Sequence, residues 1–258
     1  MTEDLLARLV LEARQDLQRR RYLMGTDQFE LAVAAYTPKD FVGALRKPAL
    51  AVIAEMKQRT PTMGVLAGDY RPADIAHAYA EGGAAAISVL THMAGFGGRI
   101  DHVRAVRAAT QLPILRKDFV TDPFEVAEAR ACGADAVLLI VAAMEPAQLK
   151  LLVALTKSRG IAALVEVHDE AETSAALDAG ALAIGVNHRD LRTFNVDLAL
   201  TERLRKVVPS EVVLVAESGI RSSADARRMR EAGADAILVG ELLMRSVDPA
   251  ARIRELMQ

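Results

Sequence analysis

After residue 50 the chain settles into a rhythm of short apolar runs, at 51–55, 85–90, 113–116, 136–140, 162–166, 183–186, 212–216 and 236–239. The runs are rich in Val, Ile, Leu and Ala and do not alternate in polarity. That is the pattern of parallel strands covered on both faces. Helical segments lie between them, and their starts are marked. Asp122-Pro123 predicts an N-cap with proline at the first helical position, and Glu125 completes a capping box. Asp169 with Glu172, Ser222 with Asp225, and Asp248-Pro249 mark three further starts. A self-similar segment reinforces the rhythm. Glu81-Gly-Gly-Ala-Ala-Ala-Ile, Ala131-Cys-Gly-Ala-Asp-Ala-Val, Asp178-Ala-Gly-Ala-Leu-Ala-Ile and Glu231-Ala-Gly-Ala-Asp-Ala-Ile each read as a helix end, a capping glycine and a strand. The copies precede strands two, four, six and eight, so each repeat holds two βα units. Eight such units predict an α/β chain closed as a (β/α)8 barrel.

Residues 1–47 precede the first strand and predict a helical N-terminal extension. Leu6, Val10, Ala13 and Leu17 form one stripe over a helix at 3–21. A second short helix is expected over 38–45, with Thr37 as its cap. This extension plugs one end of the barrel, supports a dimer or completes a ligand site. With no linker or low-complexity stretch, 1–258 reads as one domain.

Composition narrows the function classes. The 258 residues carry 32 Lys and Arg against 34 Asp and Glu, so there is no basic arm for nucleic acid. Trp is absent, which disfavours stacking surfaces. Cys132 stands alone, which leaves no internal disulfide and no cysteine cluster for zinc. No signal core and no membrane-length apolar run is seen, so a cytoplasmic protein is expected. His77, His92, His102, His168 and His188 are scattered without metal-site spacing, and His77 and His102 read as surface or interface residues. Neither a Rossmann nor a Walker fingerprint occurs. The expectation from the residues is no metal and no nucleotide cofactor.

The ends of the apolar runs carry the chemistry. They deliver Glu55 and Lys57, Ser88 and Thr91, Lys117 and Asp118, Glu166, Asn187 and Arg189, Glu217 with Ser218 and Gly219, and Gly240 with Glu241. In a barrel these ends converge on one face. The loops at Gly219 and Gly240 follow strands seven and eight, where barrels commonly bind phosphate. Two lysines and two glutamates beside a substrate anion imply acid–base chemistry. Lys117 could donate to a developing oxyanion or form a Schiff base, and the residues alone leave both roles open.

Longer motifs carry a resemblance. These are Val52-Ile-Ala-Glu-Met-Lys57, Thr60-Pro-Thr-Met-Gly64, Ile87-Ser-Val-Leu-Thr91 with Phe96-Gly-Gly98, Leu115-Arg-Lys-Asp-Phe119, Leu164-Val-Glu-Val-His168, Gly185-Val-Asn-His-Arg-Asp-Leu191, Val215-Ala-Glu-Ser-Gly-Ile220 and Leu238-Val-Gly-Glu-Leu-Leu-Met-Arg245. With them the chain resembles indole-3-glycerol-phosphate synthase of tryptophan biosynthesis along nearly its whole length. The resemblance implies a cofactor-independent carboxy-lyase acting on a small phosphorylated substrate, as a monomer or weak homodimer, without nucleic-acid or membrane partners. By resemblance Lys117 is the general acid and Glu166 its partner, Lys57 holds the substrate carboxylate, and Glu55 orients the lysines. Asn187 and Glu217 are implied to hydrogen-bond the sugar hydroxyls and the anilino region. Arg189, Ser218, Gly219, Gly240, Glu241, Thr60 and Phe96 are implied to line the anion-binding and adjoining positions. Two departures stand out. Met63 replaces a usual lysine in the Thr60–Gly64 loop, and His188 stands where a second asparagine is common. Other phosphosugar barrels would share the last two loops without needing Lys57, Lys117 and Glu166 together. Retention of all three also argues against a non-catalytic paralogue.

Overall fold

A computed structural model describes residues 5–23, 32–46, 49–61, 63–190, 193 and 195–258. Thr62 and Leu191, named in the motifs above, and residues 3 and 4 of the expected first helix lie outside that set. Eight parallel strands close a barrel: β1 (Ala51–Met56), β2 (Ala86–Leu90), β3 (Ile114–Lys117), β4 (Ala136–Ile140), β5 (Ala162–Val167), β6 (Ala183–Asn187), β7 (Val213–Glu217) and β8 (Ala236–Val239). Each pairs with its neighbours in sequence, and β8 returns to β1. Helices such as Pro72–Glu81, Pro123–Ala131 and Pro146–Ser158 fill the connections.

Several strands run further than the apolar pattern predicts. Lys117, Asn187 and Glu217 are the last strand residues, because the ladder continues through Leu90 opposite Lys117 and Asn187 opposite Glu217. Their backbones are therefore fixed by hydrogen bonding, which loop residues would lack.

Side-chain parity divides each strand. Ala51 and Ile53, Leu115, Ala136 and Leu138, Leu164, Ala183, Val213 and Val215, and Ala236 and Leu238 belong to one buried cluster inside the barrel. Val52, Ala54, Ile87, Val137, Val165, Ile184, Leu214 and Ile237 belong to a second cluster, packed under the helices. Alternate residues of a strand face opposite sides. Counting by twos from the inner set reaches Glu55, Lys117, Glu166, Asn187, Glu217 and Gly240, so these form the top interior layer.

The opposite end is built from small residues, with Ala51, Ala86, Ala136, Ala183 and Ala236 beginning their strands. The space is filled by the helix Phe41–Leu45, whose Phe41 and Leu45 join that interior cluster. The extension therefore plugs the barrel floor. Its short helix starts later than expected, because Asp40, not Thr37, caps it by accepting from the Gly43 N–H. The first helix, Leu5–Leu23, packs Leu9, Val10 and Ala13 into the same cluster.

The repeat glycines Gly83, Gly133, Gly180 and Gly233 all have φ between 84° and 92°, one residue beyond the helix caps. The capping boxes are offset by one residue from the expected form. Glu125, Glu172 and Asp225 accept from the backbone N–H of Thr121, His168 and Arg221, each just before its N-cap. Cys132 is buried and free, and burial pushes its thiol up to about 11.

Candidate active site

The upper interior layer opens into a cavity of about 460 Å³. Glu55, Lys57, Thr60, Phe96, Lys117, Glu166, Asn187, Arg189, Glu217, Ser218, Gly219, Gly240 and Glu241 all line it. Strand parity is the reason that distant residues meet there.

Lys117 lies at the centre. Its Nζ is 3.5 Å from Glu166 Oε2 and 3.4 Å from Glu217 Oε2. Burial alone would depress its pKa, but Glu217, Glu166 and Glu55 more than offset that and raise it. Lys117 is therefore an ammonium at neutral pH, which disfavours the neutral amine a Schiff base requires. One lysine cannot neutralise two buried carboxylates equally. Burial raises the Glu217 carboxyl to about 7, against the pull of Lys117 and with added repulsion from Glu166 and Glu55. Burial also pushes Glu166 upward, but Lys117, His168 and the Asn187 hydrogen bond outweigh it and leave a lowered pKa. The two carboxyls are thus set apart, one ionised and one holding a proton near neutrality.

Asn187 is fixed by both ends of its amide. Nδ2 donates to Glu166 Oε1 at 3.0 Å, and Oδ1 accepts from the Arg189 backbone N–H at 3.1 Å. Lys57 and Glu55 form an ion pair on the next wall. Gly240 makes room for this pair, since a Cβ there would lie 2.4 Å from Glu55 Oε1 and 2.9 Å from Lys57 Cε. Its role in the site is therefore steric as well as any it has toward an anion.

The loop after β7 is unusual in its backbone. Ser218 has φ 66° and Gly219 has φ 79°. A serine seldom adopts that conformation. His188 Nδ1 holds the Ser218 carbonyl at 2.9 Å, while its Nε2 meets Thr201 Oγ1 at 2.7 Å. His188 is buried, so it braces this loop from behind and does not line the cavity. Gly219 also needs its missing side chain, because a Cβ would meet Val196 Cγ1 at 2.4 Å.

Other strand-end residues have structural duties. Thr91 Oγ1 donates to Asp118 Oδ2 at 2.5 Å, and Asp118 in turn faces Arg116 at 3.3 Å. Ser88 is buried without a hydrogen-bond partner for its hydroxyl among the described residues. His102, expected at the surface or an interface, is half-buried against Tyr70, with ring centroids 5.2 Å apart. Among the described residues no group of three or more His, Cys, Asp or Glu side chains is placed to hold a metal ion.

Sequence reading passed over several contributors. Leu5 and Leu9 of the first helix, Phe119, Arg221, Arg245 and Arg252 also line the cavity. Glu241 pairs with Arg245 at 3.4 Å. Arg245 approaches Met63 Sδ at 3.9 Å, at the loop position where the lysine is missing. Gly185, in the motif before Asn187, also contributes, since a glycine inside an apolar strand signals close approach. A Cβ there would lie 2.0 Å from Glu217 Oε1. Gly185→Ala is expected to displace that carboxyl and lower kcat by about 10²-fold, the effect of an ångström-scale misplacement. Steady-state kinetics check this, and an unchanged kcat would remove Glu217 from the working set.

Fold and site together define a (β/α)8 barrel of the enzyme type, with acid–base groups gathered in the cavity at its mouth. Solved structures share the fold. Thiamine phosphate pyrophosphorylase from Pyrococcus furiosus aligns with a TM-score of 0.63 at 21% identity, covering 80% of this chain and 93% of that one. The 3-hexulose-6-phosphate synthase of Salmonella typhimurium gives 0.63 at 16% identity, covering 81% and 97%. Sequence comparison is more specific. The indole-3-glycerol phosphate synthase family model matches residues 6–256. Indole-3-glycerol phosphate synthase 2 of Streptomyces coelicolor is 57% identical, covering 98% of both chains. The synthase of Mycolicibacterium smegmatis is 48% identical, covering 94% of this chain and 90% of its own length. The chain belongs to the indole-3-glycerol phosphate synthase family, and with it is a carbon–carbon lyase of tryptophan biosynthesis.

Proposed function

We propose that the family's reaction runs in the cavity at the barrel mouth, with Lys117 as general acid. The reaction closes, decarboxylates and dehydrates 1-(2-carboxyphenylamino)-1-deoxyribulose 5-phosphate to indole-3-glycerol phosphate (EC 4.1.1.48). The observation that carries the residue assignment is the Lys117 ammonium between Glu166 and Glu217. Attack of the aryl carbon on the substrate carbonyl develops negative charge on that oxygen. A fixed ammonium stabilises it and supplies the proton. Glu166, ionised, takes a proton in the dehydration steps. Glu217 and Asn187 hydrogen-bond the sugar hydroxyls and the anilino nitrogen region. Lys57, held by Glu55, receives the carboxylate that leaves as carbon dioxide. Loss of that group restores ring conjugation, so no external electron sink is needed. Phe96, Phe119, Leu5 and Leu9 offer the aryl ring an apolar wall.

The phosphate belongs at the loops of Ser218, Gly219 and Gly240, with Arg189 and the Thr60 hydroxyl at the rim. Gripping that end folds the flexible ribulose chain over the aryl ring. Gly219→Val is expected to raise KM about tenfold or more, a loss of roughly 1.4 kcal/mol, while kcat changes little. Gly240→Val also crowds Glu55 and Lys57, so KM and kcat should both suffer. Formation of indole-3-glycerol phosphate by the purified protein is the assay. A Gly219→Val enzyme with wild-type KM would move the phosphate elsewhere.

Our wider reading is one domain over 1–258, with 1–47 as its extension, acting in the cytoplasm as a monomer or weak homodimer on a small phosphorylated substrate. No nucleic-acid or membrane partner and no cofactor enters this reading. A net charge of −2, without a basic arm, supports it. No helix among the described residues is long and apolar enough to cross a membrane.

A further inference from the structure

His168 lies two residues beyond Glu166, just past the end of β5, and its ring stands against that carboxylate. Its ring stands between two carboxylates. Nδ1 is 3.0 Å from Glu172 Oε2, and the same oxygen accepts the His168 backbone N–H at 2.8 Å. A carboxylate only accepts, so Nδ1 carries a proton. Nε2 lies 3.5 Å from Glu166 Oε1 and has no hydrogen-bond partner among the described residues. A bare lone pair on Nε2 would face a carboxylate in a buried setting. A proton on Nε2 turns that repulsion into an ion pair.

The surrounding charges favour the proton. Glu172 faces the ring from the helix Glu170–Asp178, Glu166 from β5 and Glu217 from β7, and all three are acidic. Lys117 of β3 is the nearby cation, and it lies against the other oxygen of Glu166. Burial would lower the His168 pKa, but the Glu172 hydrogen bond and the charges of Glu166 and Glu172 outweigh it and raise it.

This contributes to an asymmetry. Glu166 and Glu217 are nearly equidistant from Lys117, yet their carboxyls are driven in opposite directions. Both are buried and both feel the same ammonium. Asn187 donates to Glu166 and Glu55 repels Glu217, and the His168 ring, at 3.5 Å, adds a second cation on the Glu166 side.

We propose that His168, clamped by Glu172, is a positioning residue whose imidazolium fixes the Glu166 carboxylate opposite Lys117 and makes it, not Glu217, the ionised member of the pair. The inference rests on Glu166 being the acid–base group of the reaction.

The test compares pH profiles of kcat for the wild type, His168→Gln and Glu172→Gln, with Glu166→Gln as control. Without the imidazolium, Glu166 takes up its proton at higher pH. The acid limb should therefore move up by about one pH unit, the low end of a single-charge effect. At the foot of that limb His168→Gln should be about tenfold slower than wild type, with kcat recovering on the alkaline plateau and KM within about twofold. Glu172→Gln should shift the limb the same way by less. An acid limb that stays in place, while Glu166→Gln is inactive, overturns the inference and leaves the Glu166 assignment standing. A Glu166→Gln enzyme of near wild-type activity overturns both. Nitrogen NMR of the wild-type imidazole gives a check that needs no variant. Both ring nitrogens protonated at pH 7 is the expected result, and a neutral His168 ring there overturns the proposal.

Discussion

Lys117→Ala is expected to lower kcat by about 10²–10⁴-fold, the range a positioned general acid supplies. KM should move far less, because the substrate's phosphate and carboxylate are assigned to other residues. The size follows from what the ammonium does in both states. In the free enzyme it is the cation set between Glu166 and Glu217, at 3.5 and 3.4 Å. In the reaction it meets an oxyanion that exists only as the ring closes, so its loss falls on the transition state. Removal also leaves two buried carboxyls facing each other without that ammonium. They should then share a proton, so the residual activity should not respond to pH as the wild type does. Initial rates of indole-3-glycerol phosphate formation, with circular dichroism to check folding, read both effects. A variant within tenfold of wild-type kcat would sink the assignment of Lys117.

Arg116→Ala is expected to destabilise the fold by about 3–5 kcal/mol, the loss that follows when one partner of a buried ionic cluster is removed. For a chain this size that corresponds to a fall in Tm of roughly 6–20 °C. Arg116 neighbours Lys117 but points the other way, and it is fully buried. Its Nη1 donates to Glu128 Oε2 at 2.8 Å and to the Glu125 carbonyl at 3.0 Å, while Nη2 faces Asp118 at 3.3 Å and Nε donates to Thr91 Oγ1 at 3.3 Å. Deleting it takes the fully buried cation from Glu128 and Asp118, leaving Glu128 with the partly exposed Arg20 and Asp118 with the Thr91 hydroxyl and the Phe119 N–H. Glu125 is already pushed up to about 7, mainly by burial, so it should become neutral at higher pH in the variant. The double variant Arg116→Met, Glu128→Leu should recover part of the loss, because it replaces a pair by apolar groups. Thermal melts of the single and double variants measure this. Equal stability of Arg116→Ala and wild type would show that the cluster contributes nothing net.

Much of this architecture was legible in the amino acids. Continuous apolar runs, marked helix starts and the repeated glycine turn specify eight βα units, since each is a local physical requirement. The site residues were legible because ionisable groups at the ends of apolar strands are costly unless used. What escaped was what local pattern does not encode. Lys117 and Arg116 look alike in sequence, yet one serves the cavity and the other the scaffold. Only parity counted from the barrel axis separates them. His168 looked like the residue before a helix cap, although its spacing from Glu166 held the clue. Asp40 displaced Thr37 as a cap because the Phe41 and Leu45 plug needs the helix to start late. Leu5 and Leu9 reach the cavity through the packing of an extension that Arg20 helps to tie to the barrel. That side chain contacts Glu128 at 2.9 Å and Glu125 at 3.4 Å, far along the chain.

The floor plug also bears on how the protein is made. Phe41 and Leu45 leave the ribosome before any strand they will support. The barrel closes only when β8, near the end of the chain, pairs with β1. Until then an aromatic and an aliphatic side chain, bound for full burial, have no finished walls to enter. The nascent chain therefore carries an exposed sticky segment through most of its synthesis, the kind of surface that chaperones engage and that aggregates when they do not. A circularly permuted version that emits this helix last would insert it into a completed barrel, and should refold with less loss to aggregates than the natural order.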